Sequence, residues 1–213
     1  MTQLTRAPTT NRLLTCGIIA GAVFVAVAGA QMLLRRGFDL SRHAISLLSL
    51  GDLGWIQIAN FVVTGVLAIA CAVGIRRVLY GQRAGTWGPI LVAAYGVGLV
   101  SAGLFSADPS AGFPAGAPEG LPEHFSRHAI LHGVAAMLAF LSLTVACLVF
   151  ARRFATLGRR GWAAYSVATG VVAVLLAAWP STAGAGIRLA LAALLTWAWL
   201  GLLAARLQAD SKN

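Results

Sequence analysis

The chain has 213 residues, of which 59% are hydrophobic and only 10% carry a charge. Soluble domains have about 25% charged residues, so this chain has too few polar side chains to cover a water-exposed surface. The composition excludes an ordinary soluble domain and indicates a protein embedded in a membrane.

The net charge of +10 does not indicate a nucleic-acid-binding protein. Arginine pairs stand at the ends of apolar segments, as in the stretches IRRVLYGQR and FARRFATLGRR. At such positions they meet anionic lipid head groups. A nucleic-acid-binding module instead spreads its basic residues over one soluble face. We therefore expect membrane lipids as partners and no nucleic acid.

Six apolar segments reach the length of about 18 residues at which a helix crosses a bilayer. They predict an all-α fold, a polytopic membrane protein whose residues 1–213 form a single transmembrane domain. Connections this short leave no room for a separate soluble domain. The predicted spans are approximately 13–34, 55–75, 87–105, 129–150, 162–179 and 187–203.

The distribution of basic residues predicts the orientation of the six spans. With a cytoplasmic N-terminus, eleven of the sixteen basic residues lie on the inner side and five on the outer side. We therefore predict that both chain ends are cytoplasmic. This orientation places most acidic residues and all four histidines on the outer side, namely Asp39, Asp52, Asp108, Glu119, Glu123, His43, His124, His128 and His132.

The segment between the first two spans, GFDLSRHAISLLSLGDLG, predicts a short amphipathic helix. Apolar residues recur at i, i+4, i+7 and i+8 from Leu40, and polar side chains fill the opposite face. We expect this helix to lie in the outer membrane interface. Its polar face then carries Arg42, His43 and Ser46.

The segment between the third and fourth spans is rich in proline and glycine, which predicts a turn-rich cap or a flexible loop. Asp108 stands where the third span leaves the membrane, a position at which a carboxylate needs a partner. Pro122 suits the first turn of a helix, and His124, His128 and His132 follow at steps of four residues. On one helix the three rings form a stripe, with His132 deepest in the membrane.

Two histidines four residues apart on one helical face can chelate one metal ion. His128 and His132 have this spacing, and Asp108 and His43 are the candidates for further ligands of a zinc ion. Asp108 and His132 could instead transfer protons without a metal. Ser46 completes the candidate catalytic set with Asp108 and His132. Candidates for contact with a substrate are Asn60, Arg42 and His124.

The pentapeptide SRHAI occurs twice, at residues 41–45 and 126–130. The sequences that follow the two copies diverge, so we do not interpret them as an internal duplication. Both copies fall on the predicted outer side. They can therefore contribute to one site.

Two stretches carry a family resemblance. One is DLSRHAISLLSLGDLGWIQIANFVVTGVL, in which a serine-containing segment leads directly into the second span. The other is GLFSADP…GFPAGAP…RHAILHGVAA, in which an acid after the third span precedes a histidine in the fourth. With its six spans, the chain resembles the domain of unknown function 998 family of bacterial membrane proteins. The resemblance implies a multi-pass protein of the bacterial plasma membrane and draws attention to Ser46, Asp108 and His132.

Three functions are compatible with these residues. The first is an enzyme, metal-dependent or not, that acts on a lipid or isoprenoid-like substrate at the outer leaflet, because titratable groups clustered in a membrane are functional candidates. The second is a non-catalytic membrane subunit or a sensor whose histidines respond to external pH. The third is a small transporter, which is the weakest because a transport path needs polar groups on both sides.

Overall fold

The computed structural model describes residues 6–181 and 183–211, with the backbone alone described for residues 6–8. The described chain has no strands and forms six long helices and one 3₁₀ helix. Each long helix is long and apolar enough to cross a membrane, which confirms the predicted six-span all-α architecture. The helices are α1 (Arg6–Leu34), α2 (Gly54–Val78), α3 (Trp87–Leu104), α4 (Arg127–Thr156), α5 (Arg160–Ala178) and α6 (Ala185–Asp210), and the 3₁₀ helix is Ile45–Ser49.

Consecutive helices pack side by side, and α6 returns to α1, so the six helices form a closed ring. The connections alternate between two faces of this ring. We call one the loop face; it carries residues 35–53 (the first loop), 105–126 (the second loop) and 179–184. We call the other the terminal face; it carries the two remaining connections, the start of α1 and the end of α6.

All four histidines lie toward the loop face, in its loops or in the first two turns of α4. The fold therefore places the histidines toward one face, but it does not bring them together as a cluster. That the loop face is the outer face remains a prediction from the arginine distribution.

Arginines hold the connections of the terminal face. Arg76 Nη1 donates a hydrogen bond to the carbonyl oxygen of Gly85 over 2.6 Å. Arg153 Nη1 donates to the carbonyl oxygen of Arg83 over 2.8 Å. Because these arginines lie in the last turns of α2 and α4, both helices continue beyond the apolar stretches that define the predicted spans.

Two glycines form a close crossing between α2 and α3. A Cβ atom added at Gly65 would lie 2.6 Å from the carbonyl oxygen of Gly96, and one added at Gly96 would lie 2.6 Å from that of Gly65. Small residues at an interface let helices in a membrane approach closely enough for backbone-to-backbone contact. Any side chain at either position must push the two helices apart.

We predict that Gly65→Ala lowers the free energy of unfolding by about 1–3 kcal/mol, the usual cost of overpacking a tight contact. The matched control is Gly133→Ala in α4, where an added Cβ meets nothing within 4 Å. There the gain in helix propensity stabilises the protein by about 0.5–1 kcal/mol. Denaturant titration in detergent, followed by circular dichroism, compares the two. Equal stabilities would show that the crossing does not constrain the fold.

Candidate functional site

The first loop does not form the predicted amphipathic α-helix. Residues 36–37 and 40–42 form turns, and only Ile45–Ser49 is helical, as a 3₁₀ helix. His43 from the expected polar face and Leu48 from the expected apolar face are both buried. A Cβ atom at Gly186 of α6 would lie 2.2 Å from the carbonyl oxygen of His43. The first loop therefore packs into the mouth of the ring against the start of α6.

His43 connects the two loops through both of its ring nitrogens. Nδ1 accepts a hydrogen bond from the backbone N–H of Asp39 over 2.8 Å. The proton must therefore sit on Nε2, which donates to the carbonyl oxygen of Ala111 over 2.9 Å. The ring lies between Phe38 and Phe113, at centroid distances of 5.3 and 5.4 Å. Neither nitrogen is left to bind a metal ion.

One arginine holds the first loop together internally, and a second pairs it with the second loop. Arg35 donates hydrogen bonds to the carbonyl oxygens of Leu48 and Leu50, over 3.0 and 2.7 Å. Arg42 forms an ion pair with Glu119 of the second loop, over 2.7 Å, and both side chains are exposed. Arg42, predicted as a substrate contact, thus lies at the surface of the loops.

Asp108 binds the start of α4 and does not pair with His132. Its Oδ2 accepts a hydrogen bond from the backbone N–H of Ser126 over 2.7 Å, and its Oδ1 accepts one from the Ser126 hydroxyl over 2.6 Å. Ser126 is the N-cap of α4, and its Oγ accepts from the N–H of Ala129 over 3.1 Å. These bonds from Ser126, with the nearby His128, hold the pKa of Asp108 below its ordinary value.

The helix that carries the histidines begins at Arg127 rather than at Pro122, because the capping bonds just described end the second loop there. His124 consequently lies outside α4 and is exposed. His128 lies in the first turn and is also exposed, whereas His132 is buried one turn deeper. The predicted stripe of three histidines on one helix is not formed.

His132 joins α4 to the end of α3. Its Nδ1 lies 3.1 Å from the carbonyl oxygen of Ala102 and 2.8 Å from that of Phe105. Carbonyl oxygens only accept hydrogen bonds, so Nδ1 carries the proton. In the neutral ring Nε2 then holds a lone pair. No hydrogen-bond partner for Nε2 occurs among the described residues.

The structure does not bring the four predicted metal ligands together. Within residues 6–181 and 183–211, no group of three or more His, Cys, Asp or Glu side chains could hold a metal ion. Their donor atoms are committed elsewhere, since His43 uses both nitrogens and Asp108 uses both oxygens. His128 and His132 share the predicted spacing, but one is exposed and the other is buried. The zinc-binding set His43, Asp108, His128 and His132 is thus not assembled.

A cavity of about 500 Å³ occupies the half of the ring nearer the loop face. All six helices and the 3₁₀ helix contribute to its wall, which is almost entirely apolar. None of its lining residues is Asp, Glu, Lys or Arg. The few polar or amphipathic lining side chains are Ser46, Tyr95, His132, Thr144, Thr196 and Trp197. Of the predicted catalytic residues, Ser46 and His132 therefore share this cavity and Asp108 does not line it.

The cavity opens sideways between α4 and α5. Met137 and Leu141 of α4 and Val174 of α5 line it and are nevertheless 64%, 55% and 41% exposed. Nearer the terminal face the two helices are in contact, since a Cβ atom at Gly170 would lie 3.3 Å from Cβ of Cys147. The opening therefore faces the region that the membrane occupies.

Asn60, another predicted substrate contact, does not line the cavity. Its Nδ2 donates to the carbonyl oxygen of Phe24 over 3.2 Å and to Oε1 of Gln57 over 3.3 Å. Gln31 Nε2 also donates to Gln57 Oε1, over 2.8 Å. Together these buried amides join α1 to α2 behind the cavity wall.

The sequence reasoning missed Tyr95 and Trp197 as cavity residues. Their rings contact each other at a centroid distance of 5.1 Å. Each lies in a helix that is apolar on all sides, so no periodic pattern marks the face that lines the cavity. A single aromatic residue among small ones, as in the stretch AAYGVG, is the signal that could have drawn attention to Tyr95.

We predict that Asp108→Asn removes part of the pH dependence of stability. A lowered pKa in the folded state means that the carboxylate stabilises the fold above its unfolded pKa of about 3.9. This contribution is lost as the pH falls through the still lower pKa of the folded state. Melting temperatures should therefore fall below about pH 4 in the wild type and fall less in Asp108→Asn.

The Asp108→Asn protein should also melt below the wild type at pH 7, because the amide replaces one charge-assisted acceptor of Ser126. Glu123→Gln, at an exposed position in the same loop, is the control. Identical pH profiles for the wild type and Asp108→Asn would contradict the capping role.

Comparison with known proteins identifies the family. The family described as "Protein of unknown function (DUF998)" matches residues 18–206. Neither the curated proteins nor the solved structures give a significant match. The matched region begins within α1 and ends within α6, so it contains the whole cavity and both loops. The resemblance seen in the sequence is confirmed, and the chain belongs to the DUF998 family.

Proposed function

We propose that this multi-pass protein resides in the bacterial plasma membrane and binds a lipid or isoprenoid-like molecule between its helices. The observation that carries the proposal is the apolar cavity of about 500 Å³ that opens sideways between α4 and α5. Ligand pockets in proteins have volumes of about 300–1,000 Å³. A molecule already in the bilayer enters such an opening without crossing water.

The shape of the cavity suits a chain-like ligand. Along α4 its lining extends from His132 to Thr144, about 18 Å at 1.5 Å of helix rise per residue. Ser46 and His132 lie at the end nearer the loop face. At the other end the hydroxyl of Thr196 donates to the carbonyl oxygen of Ala192 over 2.8 Å, while Nε1 of the neighbouring Trp197 has no partner in the described part of the chain. The acceptor Nε2 of His132 and the hydroxyl of Ser46 therefore favour a polar head at the loop-face end, with the apolar chain pointing away from them.

Binding is better supported than the functions inferred from the sequence. An acid–base pair requires Asp108 and His132 to face each other, and their hydrogen bonds lead to different partners. A transporter requires a polar path to the terminal face, where buried Phe150, Phe154 and Trp199 fill the ring instead. A sensor without a pocket does not account for the cavity.

Two tryptophans provide the test of chain entry. Trp197 lines the cavity, whereas Trp199 contacts Phe150 and donates a hydrogen bond to Ser166 over 3.0 Å. Both are almost completely buried. The fluorescence of each tryptophan is the difference between the wild type and the variant that lacks it, Trp197→Phe or Trp199→Phe. In nanodiscs of phospholipids with brominated acyl chains, the fluorescence of Trp197 should be strongly quenched. The fluorescence of Trp199 should not be quenched, because no chain reaches it.

A second pair of variants tests the route. Ala173→Phe fills the cavity wall, while Val171→Phe adds the same ring to an exposed position of α5 outside the lining. Quenching of Trp197 should be lost in the first variant and retained in the second. An unquenched Trp197 in the wild type would overturn the proposed function.

A further inference from the structure

Two nitrogen atoms of lining residues have no hydrogen-bond partner among the described residues, Nε2 of His132 and the donor Nε1 of Trp197, and only Nε2 of His132 can accept a hydrogen bond. The Nδ1–H group is fixed by the carbonyl oxygens of Ala102 and Phe105. Moving the proton to Nε2 would place the Nδ1 lone pair against two carbonyl oxygens, so the alternative neutral tautomer is disfavoured. Because the Nδ1 edge faces α3, Nε2 is the nitrogen left for the cavity, where it acts as a hydrogen-bond acceptor.

The absence of charge from the lining restricts the head group of a ligand. No Lys or Arg side chain lines the cavity, so a carboxylate or phosphate would be buried without a cationic partner. No Asp or Glu lines it either, so neither an ammonium head group nor a charged imidazole ring would find a counterion. Unpaired charges in apolar surroundings are strongly disfavoured. The cavity therefore selects a neutral molecule.

The neutral head group must also donate a hydrogen bond. Ethers and esters offer only acceptors and leave Nε2 without a partner, whereas a hydroxyl group donates to it. The Ser46 side chain in the same lining can donate to or accept from the oxygen of that hydroxyl. An alcohol thus supplies the donor that Nε2 lacks, and the long apolar wall accommodates its chain.

On the basis of the function proposed above, we infer that the ligand is a neutral long-chain or isoprenoid alcohol whose hydroxyl donates to Nε2 of His132. This assigns His132 as the residue that determines head-group specificity. Its hydrogen bonds to α3 hold the ring in position, and its other nitrogen recognises the ligand.

Competition against the brominated chains tests the head group at constant chain length. The probes are 1-hexadecanol, hexadecyl methyl ether, hexadecane and hexadecanoate, each added to nanodiscs in which Trp197 is quenched. The alcohol should relieve the quenching at a concentration roughly two- to tenfold lower than the ether, the range expected for one net hydrogen bond. The ether retains the oxygen and lacks only the donor, so it is the matched control.

The variant His132→Asn separates recognition from structure. Its amide retains a donor close to the position of Nδ1 for the carbonyl oxygens of Ala102 and Phe105, and it lacks the Nε2 acceptor. In this variant the preference for alcohol over ether should disappear, while quenching of Trp197 by brominated chains should persist. Persistence of the preference would show that Nε2 is not the acceptor and would overturn the inference.

The outcomes distinguish this inference from the proposed function. Equal competition by alcohol and ether, or stronger competition by hexadecanoate, overturns the alcohol assignment and leaves chain binding intact. Failure of brominated chains to quench Trp197 in the wild type overturns both. The comparison of alcohol with ether uses the wild-type protein, so it decides the question even if His132→Asn does not fold.

Discussion

The hydrogen bonds from His132 to the end of α3 join two helices and also set the chemistry of the cavity. The final carbonyl groups of a helix have no partners within it, and in a membrane water does not supply them. His132 Nδ1 satisfies the carbonyl oxygens of Ala102 and Phe105. The same bonds hold α4 against α3, fix the proton on Nδ1 and give the cavity its one nitrogen acceptor. The hydrogen bonds that complete the end of α3 therefore also leave Nε2 as an acceptor for the cavity.

The same need for hydrogen-bond partners occupies the polar atoms of three other loop-face residues, His43, Arg35 and Asp108. His43 bonds a backbone N–H and a backbone carbonyl group, and Arg35 bonds two carbonyl groups. Asp108 bonds the N-cap of α4 through both oxygens. Metal binding and proton transfer need donor atoms with free lone pairs. Here those lone pairs and protons hold irregular backbone together at the membrane boundary.

The sequence predicted what depends on local composition and missed what depends on distant contacts. The six spans follow from the length of the apolar segments. Lipid offers no hydrogen bonds to the backbone, and a helix is the simplest structure in which each backbone N–H and C=O group finds a partner. The start of α4 was misplaced because Ser126 is capped by Asp108, which lies 18 residues earlier. The prediction of an amphipathic helix in the first loop was wrong, because α6 and the second loop bury both faces of this segment. The cavity could not be predicted from the sequence. Side chains that face lipid, other helices or the cavity are all apolar, so no sequence pattern distinguishes them.

The sizes of the side chains explain where in the ring the cavity lies. Near the terminal face, large aromatic residues such as Phe150 and Trp199 fill the ring. Near the loop face, small residues such as Ala136, Ala139 and Ala173 leave a space of about 500 Å³. At about 24 cal/mol per Å³, leaving that volume empty would cost on the order of 10 kcal/mol, comparable with the total stability of a protein. Apolar walls do not retain water well, but an apolar chain restores the missing contacts. Under the function proposed above, lipid chains that enter through the opening between α4 and α5 supply these contacts when no other ligand is bound.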